Sequence, residues 1–207
     1  LAKPTPQVNS SGVVSYYDKH ADELAQRYDA LSFEAIHAAL MPYFPTPPAT
    51  VLDVGSGSGR DAIHLAKKGF HVLAVEPSKR LLEIAQSKCG SNEVSWLSDR
   101  LPSLDSVRGD RKFDFILCSA VLMHLPSRNQ ILALKRLSEL CANGAVLYLT
   151  FRSSGVKELS EMYEVDKTHL INKAASYGLR LKEVVETSDW CGRTSIAWWA
   201  LIFVREN

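Results

Sequence analysis

Residues 51–69 read VLDVGSGSGRDAIHLAKKG, with three alternate glycines, Gly55, Gly57 and Gly59, between a strand-like run and a helix-like one. Glycine there lets backbone N–H groups approach a ligand closely and adopts positive φ without penalty. A helix starting near Arg60 adds free N–H groups and a positive dipole end, which suit a carboxylate or a phosphate. Asp53 stands just before the turn. A dinucleotide, a triphosphate and a sulfonium nucleoside can all use so bare a backbone, and a tight strand-to-helix turn needs no ligand at all. The spacing narrows the choice. It is GxGxG, with Arg60 where a dinucleotide fold places its third glycine for close helix–strand packing. No GxxxxGK run followed by Ser or Thr is present, so the loop is not built for a triphosphate.

Two carboxylates extend the pattern. Glu76 ends the next apolar run, HVLAVE, and is followed by Pro77 and Ser78, a helix N-cap residue. A carboxylate has two acceptor oxygens and no donor, so Glu76 can accept both hydroxyls of a ribose. Asp99 follows the third run, VSWL, where it can accept from an adenine amino group or serve as a polar turn residue.

These groups converge only if the intervening elements form an open parallel sheet, whose ligands lie beyond the carboxyl ends of the strands. The pattern supplies one. Strand-like runs at 50–54, 71–76, 94–97, 113–118 and 145–151 alternate with helix-like runs at 60–68, 78–88 and 128–141, plus a short one near 103–107. Such alternation implies right-handed crossovers with helices on both faces. After a helix near 166–177, the runs 180–186 and 195–204 are separated by an eight-residue loop with no room for a crossover helix. They are predicted to be an antiparallel pair at one end of the sheet. Ahead of the core, an apolar and aromatic stripe at Tyr17, Ala21, Leu24 and Tyr28 predicts a helix over 13–29. Phe33, Ile36, Leu40 and Tyr43 predict another over 32–41, stopped by Pro42, Pro45, Pro47 and Pro48.

Composition sets the outer bounds. At 207 residues, 46% hydrophobic and 23% charged, the chain is an ordinary globular one of about one domain. With a net charge of +1, its densest basic stretch, Arg108 to Lys112, also holds Asp110, which disfavours a nucleic-acid surface. The adhesion-like tripeptide Arg108-Gly109-Asp110 reads as a polar turn. Cys89, Cys118, Cys141 and Cys191 form no CxxC pair, so neither a disulfide framework nor a zinc site follows. Cys118 and Cys141 read as buried thiols. The longest apolar run, Ile196 to Val204, is too short to span a bilayer. Residues 1–12 lack an apolar signal core and read as a disordered lead. The expectation is a reduced, cytoplasmic protein.

In order, VLDVGSGSG, VLAVEPS, SDRLP and FDFILCSAVLMHL resemble the motif series of the Rossmann-like (class I) S-adenosylmethionine-dependent methyltransferases, small-molecule type. The resemblance covers residues 50–151 and extends to the whole chain, including the terminal strand pair. It implies an α/β fold: a doubly wound, mostly parallel seven-stranded sheet with a terminal antiparallel strand and an N-terminal helical lid. It also implies one methyltransferase domain over 1–207, with lid and linker at 13–48, cofactor core at 49–151 and an acceptor-side region at 152–207. S-adenosylmethionine is the implied cofactor, S-adenosylhomocysteine the product, and no metal is implied. By the resemblance, Asp53, Gly55, Ser56, Gly57 and Gly59 line the methionyl moiety, and Asp61 either accepts from its ammonium or compensates the helix dipole. Glu76 takes the ribose, flanked by Pro77 and Ser78. Asp99 and the backbone of Arg100 and Leu101 read the adenine, and Ser119 lies beside the sulfonium.

Methyl transfer is an in-line displacement, so positioning and exclusion of water are the protein's main contributions, worth roughly 7–11 kcal/mol. His124 in VLMHLP is the best-placed base for a hydroxyl acceptor, or else a packing residue. Tyr17 and Tyr28 can close over the cation, Tyr17 can touch the acceptor, or both can simply pack on their helix face. The acceptor rim is expected from Arg152, Asp189, Trp190 and Arg193. The place after the fourth strand reads Cys118-Ser119-Ala120-Val121, without the Asn/Asp-Pro-Pro-aromatic motif of amino-methylating nucleic-acid enzymes and without hard metal ligands. A small-molecule acceptor is therefore expected, with no nucleic acid and no membrane. A protein of this fold that binds the nucleoside without transferring a methyl group, as a regulator or partner subunit, is the alternative. A nicotinamide-dependent dehydrogenase is the third reading.

Overall fold

A computed structural model describes residues 11–90, 93–154 and 162–206. Nearly all of the expected 1–12 lead lies outside these residues. The helix predicted over 13–29 is two helices, α1 (Ser11–Lys19) and α2 (Ala21–Asp29). His20 separates them at φ −106°, ψ 13°. Aspartates on both sides of the bend are held by helix α5 (Lys79–Ser87). Asp18 accepts from Ser78 Oγ at 2.6 Å and from the Arg80 N–H at 3.1 Å. Asp22 accepts from the Arg80 guanidinium at 2.9 Å. The apolar stripe still buries one face, with Ala21, Ala25, Leu81 and Tyr17 packed together.

The second predicted helix, 32–41, is also broken. Helix α3 (Phe33–Ile36), capped by Ser32 Oγ accepting from the Ala35 N–H, gives way to a 3₁₀ segment, Ala38–Tyr43. The break is at His37, whose fully buried ring reaches Asp61 at 3.0 Å. Pro42, with no N–H to donate, lies inside the 3₁₀ turn.

The sheet has seven strands: β1 (Thr50–Val54), β2 (His71–Val75), β3 (Val94–Leu97), β4 (Phe113–Ser119), β5 (Cys141–Ser154), β6 (Leu179–Ser188) and β7 (Ala197–Arg205). Their order is β3-β2-β1-β4-β5-β7-β6. Strands β1 to β5 pair in parallel, and β7 runs antiparallel to both β5 and β6, as the short connection required. Chain order reverses between β1 and β4, which places the ligand crevice at their carboxyl ends. Alternate strand residues feed two cores. Leu52, Val54, Ile116 and Cys118 pack on one side, and Val51, Phe115 and Leu117 on the other. The remaining helices are α4 (Arg60–Lys67), α6 (Ser127–Leu140) and α7 (Lys167–Ser176).

The short helix expected near 103–107 is a series of turns. Side chains occupy the backbone groups a helix would use there. The Ser106 N–H donates to Asp99 at 2.7 Å, and the Arg136 guanidinium donates to the carbonyls of Ser103, Leu104 and Val107. Cys118 and Cys141 are buried, as their apolar settings imply. No helix among the described residues is long and apolar enough to cross a membrane.

Candidate active site

At the carboxyl edge of the sheet lies a cavity of about 530 Å³, within the size range of small-molecule sites. Its walls include Asp53, Gly55, Ser56, Gly57, Asp61, Glu76, Pro77, Ser78, Asp99, Arg100, Leu101 and Ser119 from the sheet edge and its loops. Tyr17 and Tyr28 line it from α1 and α2, His124 from the turn after β4, and Arg152, Asp189, Trp190 and Arg193 from the far end.

The glycine turn is held from beneath. Gly55 and Ser56 donate their N–H groups to the Val75 carbonyl at 2.8 and 3.0 Å. Gly57 donates to Glu76 Oε2 at 2.8 Å, and Ser78 donates to Glu76 Oε1 at 2.8 Å. Glu76 therefore ties the turn to the start of α5 while facing the cavity, and each oxygen keeps acceptor capacity. Burial pushes its carboxyl up to about 7, against the opposing effect of the two backbone N–H groups. Asp99 is similarly engaged, with Oδ1 accepting from the Arg100 N–H and Oδ2 from the Ser106 N–H, both at 2.7 Å.

Asp53 is 3% exposed, and its Oδ2 has no hydrogen-bond partner among the described residues. Burial first, then the charge of Asp61, raises its pKa well above the usual carboxylate range. A buried acceptor left unpaired is destabilising by about 1–3 kcal/mol. The primary ammonium of an amino-acid tail would satisfy it, and the nearby Ser56 Oγ, also buried without a partner, adds a second polar contact. These residues fit the methionyl end of S-adenosylmethionine.

Asp61 lines the cavity with Oδ1 accepting from Arg60 Nε at 2.7 Å, and Oδ2 from Arg60 at 2.8 Å and His37 at 3.0 Å. Burial opposes ionisation of Asp61, yet His37 and Arg60 hold its pKa below the usual value. Gly59, expected beside the methionyl moiety, does not line the cavity. It is the left-handed N-cap of α4, at φ 79°, and a Cβ there would lie 2.7 Å from Trp96 and 2.8 Å from Ala85. Gly59 performs the close helix–strand packing that a dinucleotide loop assigns to the next position.

Tyr28 lies against the bare turn, with its ring 3.7 Å from where a Cβ of residue 57 would stand, and burial raises its phenol pKa. Asp29, which ends α2, accepts from Ser58 Oγ at 2.7 Å and pairs with Lys88, so α2 is fastened to both the turn and α5. Past β4, Ser119 Oγ and Thr150 Oγ1 are 2.8 Å apart, and Thr150 also accepts from the Ala120 N–H at 3.0 Å. Ala120 has φ 60°, an uncommon value for a residue with a side chain and one that clusters at functional sites.

Tyr17 and His124, 107 positions apart, form one pair, with the phenol oxygen 3.0 Å from Nε2 and the rings edge to face. At the far end, Asp189 accepts from Arg193 at 2.7 Å and from the Trp198 indole N–H at 2.9 Å. Burial opposes ionisation there, but Arg193 and Trp198 hold the Asp189 pKa below the usual range. The Arg152 guanidinium lies 5.6 Å from the centre of the Trp198 ring. Tyr148, Thr150, Trp198 and Trp199 line the cavity without having been singled out, because their apolar strands read simply as core. Alternation along SIAWWALIFV places one of two adjacent tryptophans on each face, which was the available signal. Among the described residues, no cluster of His, Cys, Asp and Glu is arranged to hold a metal ion.

Residues 17–200 match the model of a family described as a methyltransferase domain. Among curated proteins, the ubiquinone biosynthesis O-methyltransferase of Rickettsia conorii is 29% identical over 102 residues, 48% of this chain and 34% of its own length. The match therefore spans about a third of that relative. The solved magnesium protoporphyrin IX methyltransferase of Synechocystis superposes with a TM-score of 0.71 at 18% identity, covering 99% of this chain and 100% of that one. The cyclase SpnF superposes at 0.75 with 12% identity, covering 98% of each chain. At such identities the likeness is one of fold, and a fold can host more than one chemistry. With the family match running through nearly the whole chain, the protein belongs to the methyltransferase-domain family, and its sheet has the Rossmann-like fold of the structures it superposes on.

Proposed function

We propose that this domain moves a methyl group from S-adenosylmethionine to a small-molecule nucleophile. The observation that carries the reading is a single continuous cavity. One end has the bare turn, the unpaired Asp53 oxygen, Glu76 and Asp99, and the other has tyrosine, tryptophan and arginine side chains with the Tyr17–His124 pair between. When bound, S-adenosylmethionine supplies a methyl carbon already activated by its sulfonium. Glu76 accepts from the ribose, Asp99 from the adenine amino group, and Asp53 from the ammonium. Pro77, Ser78, Arg100 and Leu101 complete the nucleoside walls. Tyr28 and Ser119 bracket the reacting centre, and the packed N-terminal helices exclude water. His124, bonded to Tyr17, takes the proton of an acidic hydroxyl. The methyltransferase names of the curated relative and of the Synechocystis structure support a small-molecule acceptor.

The deciding experiment incubates the protein with methyl-labelled S-adenosylmethionine and a panel of phenols, thiols, amines and carboxylates. Label on one acceptor class is the expected result; tight cofactor binding with no transfer to any class makes the protein a binder without activity. Cofactor binding is also expected to depend on pH. Ribose hydroxyls donate to the ionised Glu76 carboxylate and favour it, so binding lowers a pKa that stands at about 7 in the free protein. Affinity therefore rises with pH through neutrality and levels off above it. Calorimetry should give a Kd about tenfold weaker at pH 6 than at pH 8, one pKa unit being 1.36 kcal/mol; a flat profile counts against Glu76 as the ribose ligand.

A further inference from the structure

Asp99, Arg100 and Leu101 line the nucleoside end of the cavity, yet residues 98–112 around them contain neither helix nor strand. Within this stretch Leu104 stands at φ 48° with its side chain fully buried. A residue with a β-carbon holds such a backbone only where its surroundings over-determine it. Part of that determination is apolar, since Leu104 and Val107 share a core with Leu134 and Leu137 of α6. The polar part comes from Arg136, also on α6. Its Nε donates to the Ser103 carbonyl at 2.8 Å, and its Nη2 donates to the carbonyls of Leu104, at 3.2 Å, and Val107. A planar guanidinium spans three carbonyls at once, which the compact ammonium of a lysine does not. The stretch so held includes Ser106, whose N–H donates to Asp99 Oδ2 at 2.7 Å. The Arg100 N–H donates to the other oxygen, Oδ1, at the same distance. With both oxygens tied the carboxylate does not turn, and each oxygen keeps a lone pair for the cavity.

Resting on the reading above, in which Asp99 accepts from the adenine amino group, we propose that Arg136 is a positioning residue for selection of the base. It is not among the cavity walls and acts only through the turn. By fixing 103–107 it fixes the Ser106 N–H, and through that bond the direction in which Asp99 presents its acceptors. Acceptors held in this way favour a purine with an amino group at C6 and reject one with a carbonyl oxygen there. Glu76 and Asp53 follow from other elements, so the ribose and the amino-acid tail are held without Arg136.

The test compares S-adenosylhomocysteine with S-inosylhomocysteine, in which a carbonyl oxygen replaces the amino group, by calorimetry on the full chain. The wild type is expected to prefer the adenosyl ligand about tenfold or more, the scale of one hydrogen bond to a charged group. Arg136→Met keeps the apolar stem and removes every donor. It is expected to bring the preference to within about twofold, mainly by weakening the adenosyl ligand. Arg136→Lys keeps the charge without the fork and falls close to the methionine variant. Asp99→Ala abolishes the preference as well, and adding Arg136→Met to it changes the ratio no further, because both act through one contact. Hydrogen exchange on the ligand-free wild type is the second measurement. The Ser106 amide is expected to be protected as strongly as those of α6 before any nucleoside is added. A preference unchanged in the Arg136 variants, even at a lower Tm, overturns the proposal, because a purely structural staple gives that result. A Ser106 amide protected only after S-adenosylhomocysteine binds does the same, whether or not the variants fold. Equal binding of the two ligands by the wild type instead removes the adenine contact of Asp99. Failure to bind either one sinks the S-adenosylmethionine reading, and this one with it.

Discussion

Glu76→Ala should weaken S-adenosylmethionine binding by about 1.5–3 kcal/mol, the scale of hydrogen bonds to a charged group. That is about a ten- to 150-fold rise in Kd. The loss has two sources. The ribose loses a two-oxygen acceptor, and the Gly57 and Ser78 N–H groups, each now bonded at 2.8 Å, lose the carboxylate that sets the shape of the turn. Calorimetric titration measures it, with a thermal melt to verify the fold. A variant that melts normally and binds as the wild type does would locate the ribose elsewhere.

Gly59→Ala should be costly in a different way, through the fold. A Cβ at this position stands 2.7 Å from Trp96 and 2.8 Å from Ala85, both contacts too short to survive without movement. At φ 79° the backbone is also left-handed, which costs an alanine roughly 1–2 kcal/mol. Overpacking adds about 1–3 kcal/mol. The sum, about 2–5 kcal/mol, corresponds to a fall in Tm of roughly 5–20 °C for a chain of this size. Gly57→Ala makes a useful contrast, because its Cβ would meet only the Tyr28 ring, at 3.7 Å. It carries the same backbone strain without the overpacking, so its melt should fall by less. Equal melts for the two variants would mean that Gly59 is not the packing position.

The parallel core was legible because its signals are local and repeated. Apolar runs covered on both faces, turns at their ends and helix-length spacers leave few alternatives to a doubly wound sheet, and β1 to β5 follow that order. The carboxylates at 76 and 99 were legible for the same reason: a strand end is a fixed place in such a fold. Less legible were features decided by distant partners. Nothing within residues 32–41 says that the His37 ring will leave its helix for Asp61, so the predicted helix breaks where a buried histidine–carboxylate bond outweighs local propensity. The same bond gives Asp61 a buried partner that its place in the first turn of α4 does not announce. Gly59 could not be separated from Gly55 and Gly57 by spacing, because what distinguishes it is the indole of Trp96, far along the chain. The pairing of Tyr17 with His124 likewise joins elements that no periodicity links.

Asp18, Asp22 and Asp29 fasten the two N-terminal helices to α5 and to the glycine turn, and both helices contribute cavity walls. Charged contacts thus hold the two helices alongside the apolar face they pack on Leu81. Several of these contacts are half open to solvent, and dissolved ions screen such pairs readily. Whatever the helices enclose is therefore expected to leave sooner as dissolved salt is added.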